Sequence, residues 1–513
     1  MKPAGMTVAL ACLVLAIALD ARLALAEQPY PVAWTRQWGT SQWEYANSIA
    51  FDTVGNAYLA GDTGGDGMLV KYSPTGGLVW SKTIGTTWQE FNNSVATSRD
   101  GYLYFGGSTM GSLAGTNAGG WDAYLCKYNT NGGLLWSRQW GTSQADNITS
   151  VTTDISGNVY FTGNTSGSLQ GMNAGYTDAI LGKVDASGNL IWIRQFGTPS
   201  TDYGMKIATD AAGNVYLAGQ AGDLGGGGIG AFVAKFDSAG NQLWHWQTTS
   251  GPSHGYGVAV DSQGNVYLSG STENDVGGPN AGGSDSYLVK VDSSGRFLWA
   301  RQVGTPGYEN VGDVAVDSSD NVYLAGDTSG TLGARNYGQN DAFVMKFDSA
   351  GNKLWCQQWG SNQIDGVDAI AIDDAGNLRV AGDTWGNMGT PNAGAYDAFV
   401  SALNVPEPAT LGLLALGGLA LVRRKERACP RWVRQMRVFV LPETNCCRGC
   451  IFPIGVQAGG APVGPGCGCR RSARPVPWGR RGTSTATAPA SLPAMRFYAR
   501  AKPQAAESGT ASY

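Results

Sequence analysis

Five aspartates, Asp122, Asp178, Asp285, Asp341 and Asp397, each follow an asparagine by five residues: Asn117, Asn173, Asn280, Asn336 and Asn392. Carboxylate and amide oxygens at a fixed spacing are what a hard cation such as Ca²⁺ takes as ligands. The same residue types have a use that needs no ligand. A short acidic side chain accepts backbone N–H groups and fixes its own loop. A residue present in most copies of a repeat serves the scaffold before it serves a ligand. The sequence therefore requires no cofactor, and Ca²⁺ is the cation these oxygens would suit.

Other catalytic equipment is sparse. The only histidines are His245 and His254. The stretch from Gly251 to Gly255, Gly-Pro-Ser-His-Gly, matches a nucleophile pattern that needs a strand–turn–helix context. Here it reads as a loop between repeats, and with Gly at 76 of 513 residues a chance match is expected. Gly225, Gly227 and Gly230 match a phosphate-loop spacing, but no helix pattern follows to receive a phosphate. Cys447, Cys450, Cys467 and Cys469 could supply four thiolates to zinc, in a stretch with no foldable pattern around it. Cys126 and Cys356 fall in different repeats, which argues against a disulfide. No catalytic residue and no metal site is assigned on these grounds.

The elements that must position these residues are repeats. A tryptophan heads each copy at 34, 80, 136, 192, 244, 299 and 355. Each copy holds four strand-like runs, represented by Val314–Asp317, Asn158–Gly163, Asp122–Tyr128 and Leu135–Trp140. Their period-2 alternation is bounded by Gly, Asn and Asp clusters. Four strands repeated seven times predict an all-β fold, a seven-bladed β-propeller of four-stranded blades. Ala33–Thr40 supplies an outer strand alone, and the last copy lacks one, so the N-terminal strand is expected to pair with 397–403 and close the ring. Two connections per copy are tight turns such as Asp-Ala-Gly-Asn. The other two are long, as at 141–147 and 166–178. Strand alternation puts both long connections on one face, where ligand contacts are expected.

Residues 27–404 hold 17 Lys+Arg against 34 Asp+Glu, a net charge of −17. That excludes a nucleic-acid-binding surface, which is basic, and fits a soluble exported domain. Residues 1–26 read as a signal peptide, with Lys2, an apolar core and Ala24-Leu25-Ala26.

The GNVYLAG and LW-RQWGT signatures resemble the bacterial β-propeller repeat (SBBP-type) family of secreted and surface proteins, across residues 27–404. That resemblance implies the fold and no single activity. WD-repeat propellers fit less well, because the GH and WD pairs are missing. Residues 405–427 resemble a PEP-CTERM sorting signal. Pro406, Glu407 and Pro408 precede the apolar run Ala409–Val422, which ends in Arg423, Arg424 and Lys425. The resemblance implies an exosortase-type processing enzyme as a partner, with the basic end kept inside. Fourteen helical residues span about 21 Å, short of a ~30 Å hydrocarbon core, so membrane association would be transient. Sorting signals of this kind end a chain, yet 428–513 follows. It is an irregular, basic, Cys-rich tail that reads as a spurious extension.

The expected function is a non-catalytic binding or scaffold protein, exported to the cell surface or extracellular matrix, with a surface polysaccharide or protein as partner. The alternative is an enzyme on a propeller scaffold: a lyase, a hydrolase or a quinone-dependent dehydrogenase. Segments such as DSAGNKLW also resemble the Trp-containing repeats of quinoproteins, whose rings have eight blades against seven copies here. An enzyme should break the repeat with unlike polar residues at one place.

Overall fold

The computed structural model describes residues 31–403, apart from 223–228, 250 and 334. These lie in the first of the chain's two units, Met1–Arg431; the second, Trp432–Tyr513, is outside the described residues. The signal peptide, the sorting segment, the tail with its thiols, Gly225 and Gly227 are outside them as well.

Seven four-stranded antiparallel sheets follow one another round a closed ring. Blade 3 shows the plan. Its strands, from the axis outward, are Asp146–Thr153, Val159–Thr165, Asp178–Val184 and Leu190–Phe196. Blades 1 to 6 occupy 44–84, 90–140, 146–196, 202–247, 253–303 and 309–359. Blade 7 is 365–403 with 32–38 as its outer strand. The closing register pairs Trp34 with Ala402, Arg36 with Val400 and Trp38 with Ala398. The predicted closure and the count of seven both hold.

The inner strands are longer than the sequence pattern suggested. In blade 6 the strand runs Glu309–Val316, not from Val314, and Asp146 starts a strand inside the stretch 141–147 that the pattern predicts to be a loop. The cause is a bulge. Every inner strand shifts register once, as between Ile148 and Ser150, and period-2 alternation is legible only after that shift. The bulge drives a carbonyl against the neighbouring strand, where only glycine leaves room. A Cβ on Gly163 would stand 1.8 Å from Asn147 O, and Gly61 and Gly326 meet the same approach. That is the reason for the last residue of the GNVYLAG signature.

The tryptophans that mark the repeat hook one blade to the next. Trp136 Nε1 donates to Ala186 O at 3.1 Å, and Arg138 Nε donates to Gly188 O at 2.9 Å. Gly188 lies against the Trp136 ring, and the Arg138 guanidinium lies over that ring at 5.4 Å from its centroid. Lys127 donates to the same turn at Ala186 O. Apolar layers fill the space between blades, with Tyr58, Tyr104, Tyr160, Tyr216 and Tyr267 fully buried from equivalent second strands.

Candidate functional site

The five predicted aspartates are all buried at the start of third strands. Asp122 Oδ2 accepts from Gln139 Nε2 and Ala118 N, both at 2.9 Å. Gln139 Oε1 in turn accepts from Ala114 N. Asn117 Oδ1 accepts from Gly119 N at 2.9 Å. The pattern recurs at Asp178, Asp285, Asp341 and Asp397 with Gln195, Gln302, Gln358 and Gln37. It recurs at Asn173, Asn280, Asn336 and Asn392 with the glycine two residues on. The result is a clamp: a carboxylate and a carboxamide on neighbouring strands hold each long loop by its own backbone. The N–H donors occupy Oδ2 and leave Oδ1 of Asp122, Asp178, Asp285 and Asp341 without a hydrogen-bond partner.

That free oxygen faces a second acid, which sequence reasoning missed. A Cβ on Gly197 would stand 2.4 Å from Asp178 Oδ1 and 2.9 Å from Asp202 Oδ2. On Gly360 it would meet Asp341 Oδ1 at 2.5 Å and Asp365 Oδ2 at 2.8 Å. Two carboxylates from adjacent blades therefore converge on one glycine Cα–H, a weak donor to the otherwise bare oxygen. Gly85 meets Asp66 and Glu90 in the same way, and the equivalent positions hold the pairs Asp122 with Asp146, Asp285 with Glu309, and Asp397 with Glu44 across the closure. Counted along the chain, the pairs run Asp66–Glu90, Asp122–Asp146, Asp178–Asp202, Asp285–Glu309, Asp341–Asp365 and Asp397–Glu44. The first five have a constant separation of 24 residues, the signal that would have found them. The second acid is held by hydroxyls and an amide: Thr142 N and Thr142 Oγ1 donate to Asp146, as does Thr165 Oγ1. Burial pushes Asp146 and Asp202 upward, with the partner acid adding to it. Asp365 rises to about 6, first by burial, against the bonds from Thr384 and Ser361, with Asp341 adding to the rise.

The joint between blades 4 and 5 lacks both acids. The third strand of blade 4 carries Gly230 and Ala231 where the first acid would stand, and Ser253 of blade 5 stands at the second acid's position. There Thr248 Oγ1 and Ser253 Oγ lie 2.5 Å apart, and Ala231 N donates to both. Both carboxylates and the intervening glycine are lost together, so the three form one unit.

The repeat also breaks along the axis between blades 4 and 6. The bulge position carries Ser48, Ser94 and Ser150, whose hydroxyls accept the next blade's N–H. It then carries Lys206, Gly257, Asp313 and Ala369. Lys206 Nζ reaches Asp313 Oδ2 at 2.8 Å, past Gly257, where a Cβ would crowd Asp313 Oδ1. Beside this pair lies a cavity of ≈ 340 Å³. His254 Nδ1 lies 2.5 Å from Gln220 Oε1, and burial pushes its pKa down against the charge of Glu273. Ser253 and His254 sit in the strand Ser253–Val260, not in the loop that the Gly-Pro-Ser-His-Gly pattern suggested. Ser253 is bonded to Thr248, so the motif has no nucleophile geometry. Cys126 and Cys356 are separate free thiols, both pushed by burial to about 12.

The two faces differ in what they expose. Seven aromatic side chains are exposed among the described residues, and Trp43, Trp88, Tyr176, Tyr308, Tyr337 and Trp385 lie in long connections. The exposed aliphatics Leu78, Leu134, Ile191 and Leu243 sit beside tight turns at the outer rim. The tight turns are acidic, with Asp52, Asp154, Asp210, Asp261, Asp317 and Asp373 each leading one.

Residues 33–67, 135–170, 191–223, 249–277 and 298–333 match the beta-propeller repeat family SBBP. Four of the matches span an outer strand and most of the following blade's inner half, the joint that holds the acid pair; 249–277 begins after the outer strand Gln242–Gln247, at the joint without the pair. Residues 404–427 match the PEP-CTERM protein-sorting motif. Regulatory protein FlaEY of Caulobacter vibrioides is 33% identical over 203 residues, covering 36% of this chain and 20% of that protein. An uncharacterized WD repeat-containing protein of Acanthamoeba polyphaga mimivirus is 24% identical over 216 residues, 33% of this chain and 16% of that protein. The chain thus spans only a fifth or less of the length of these relatives. Among solved structures, the WD40 beta propeller domain of Doa1 aligns with a TM-score of 0.45 at 12% identity, covering 74% of this chain and 98% of that one. The Neurospora crassa Pan2 WD40 domain aligns at 0.45 and 9%, covering 74% and 97%. The chain carries five β-propeller repeats of this family and a sorting motif that marks it for export, exosortase-type processing and the cell surface.

Proposed function

We propose that this exported β-propeller repeat protein is a non-catalytic binding or scaffold protein of the cell surface or its extracellular matrix. The observation that carries the reading is the opposition of the two faces. Val32 pairs with Leu403 at the tight-turn end of blade 7, so the propeller's first strand begins and its last strand ends there. The sorting segment follows directly, at 404–427. The long-loop face therefore points away from whatever holds the C-terminal segment, and its loops are fixed in advance by the Asp–Gln clamps. Preformed loops bind without an ordering cost.

The residues that break the repeat on the axis are engaged with one another: Lys206 with Asp313, His254 with Gln220. Those bonds support a structural use over a reacting one. The reading is tested by localising the exported chain on intact cells with an antibody, beside a chain truncated after Asn404. Surface staining of the full chain and release of the truncated one into the medium are expected. Identical distributions would remove the link between segment and surface.

A further inference from the structure

The long-loop connections of blades 7, 1, 2 and 3 contain no charged residue. Residues 385–396, 39–43, 64–65, 85–89, 110–121, 141–145 and 166–177 hold no Asp, Glu, Lys or Arg. Across the ring, the corresponding loops of blades 5 and 6 carry Glu273, Asp275 and Arg335. The uncharged sector is also where the aromatics gather. Trp385 stacks on Tyr396 at 4.9 Å with planes 7° apart, and Tyr396 meets Tyr45 of the next blade at 5.5 Å. Two residues before Tyr45 stands Trp43, 38% exposed; Trp88 in blade 2 is 62% exposed and Trp385 45%. Phe91 and Trp121 stack beside them at 5.0 Å. Backbone bonds hold the strip: Glu44 N to Tyr396 O, Gly64 N to Trp43 O, Trp385 N to Ile364 O.

These aromatics are not repeated in every blade, so they do not serve the fold in the way the clamps do. The surface offers ring faces and exposed amides and hydroxyls such as Gln42, Thr87, Thr116 and Asn387. It offers no cation for a polyanion and no charge to set the register of a protein partner, whose interfaces are enriched in arginine. A ligand with an apolar C–H face and a rim of neutral hydroxyls matches all three properties.

We propose that blades 7, 1 and 2 form a stacking platform for a neutral polysaccharide chain, with Trp385, Trp43 and Trp88 as its contacts. This rests on the binding-protein reading above and names its ligand class. Electrophoresis of the full exported protein through gels containing dextran, mixed-linkage glucan, hydroxyethylcellulose or alginate tests it. Retardation by at least one neutral glycan and none by alginate is expected. Trp43→Ala with Trp88→Ala should weaken that retardation by about tenfold or more. Trp88→Ala alone should weaken it too without moving the melting transition, because that side chain is 62% exposed. Trp43→Phe should keep much of the retardation, and Leu134→Ala, on the other face, all of it. No retardation by any neutral glycan, equal retardation by alginate, or retardation unchanged in the tryptophan variants would each overturn the platform. Surface retention of a chain with no glycan affinity would overturn the platform alone and leave the binding-protein reading, with a protein partner, standing.

Discussion

Gly141 has no positive φ to explain it, so its missing side chain answers to its neighbours. A Cβ there would stand 2.0 Å from Asp122 Oδ1. Gly141→Ala should lower stability by about 1–3 kcal/mol, the usual cost of overpacking. The cost should shrink in an Asp122→Ala background, because the carboxylate it strikes is gone. A urea-denaturation double-mutant cycle measures this, and additive effects would show that glycine and acid are independent. The acid pairs also set a pH dependence. Asp365, raised to about 6, favours its protonated form in the fold. Below about pH 4 both states are protonated and nothing is lost. Between about 4 and 6 the unfolded chain ionises first, so stability falls as pH rises. Asp185 and Asp237 act in the opposite direction. Bonds from Asn189 and Asn241 lower them, so their contribution is lost as pH falls below the usual carboxylate range. Chemical-denaturation midpoints should therefore decline from about pH 4 to 6, and Asp365→Asn should flatten that slope. A slope unchanged in the variant would remove the acid pair as its source. Asp122 was legible from sequence because its asparagine and loop recur with it. Asp146 was not, because it looks like the end of a loop, and its partner lies 24 residues upstream in another blade.

Elements were read as well as their alternation allowed. Second and third strands are buried on both sides and appeared at close to their full lengths. Inner strands were truncated because each carries a bulge that resets the period. The hooks explain more of the sequence than strand propensity does. Four of the six outer strands that face a following turn carry arginine two residues after the tryptophan, Arg36, Arg138, Arg194 and Arg301, and the other two carry Lys82 and Trp246 there. Blade 6 carries Gln357 instead. Blade 7 has no turn between its third and outer strands, because the outer strand comes from the N-terminus, so there is no carbonyl for an arginine to reach. The Lys206–Asp313 bridge joins blades 4 and 6 across blade 5, and both side chains are mostly shielded. Removing one partner strands the other. Lys206→Met should cost about 3–5 kcal/mol, and adding Asp313→Leu should recover much of it. Equilibrium unfolding of both variants decides this. A single variant as stable as wild type would show that water satisfies Asp313 through the neighbouring cavity.

At the scale of the whole molecule, seven tryptophans gave the number of blades and a lone N-terminal strand gave the closure. The aromatic sector was not legible in advance. Trp43, Trp88 and Trp385 occupy different places in their repeats, and only the ring brings them to adjoining blades. On the proposed reading, the same ring would set how the molecule stands if its C-terminal segment is held at a membrane. Leu403 ends the last strand on the acidic tight-turn face, and Ala409 begins the apolar run five residues after Asn404. A linker this short reaches at most about 18 Å at ~3.5 Å per residue, so the propeller would sit close above the membrane with its aromatic face outward. Replacing Pro406, Glu407 and Pro408 by alanine should leave export intact, since these residues lie beyond the last strand. If the run of fourteen residues retains the chain until it is processed, as proposed, the replacement should block cutting and trap a full-length form in the membrane fraction. Fractionation with intact-mass measurement reads this directly. The trapped form should keep its long-loop face open to added neutral glycan, because in the proposed orientation that face would be turned away from the bilayer. If the triple variant reached the medium at the same size and rate as the parent chain, the segment would be only a hydrophobic end, and the orientation argued from it would fall with it.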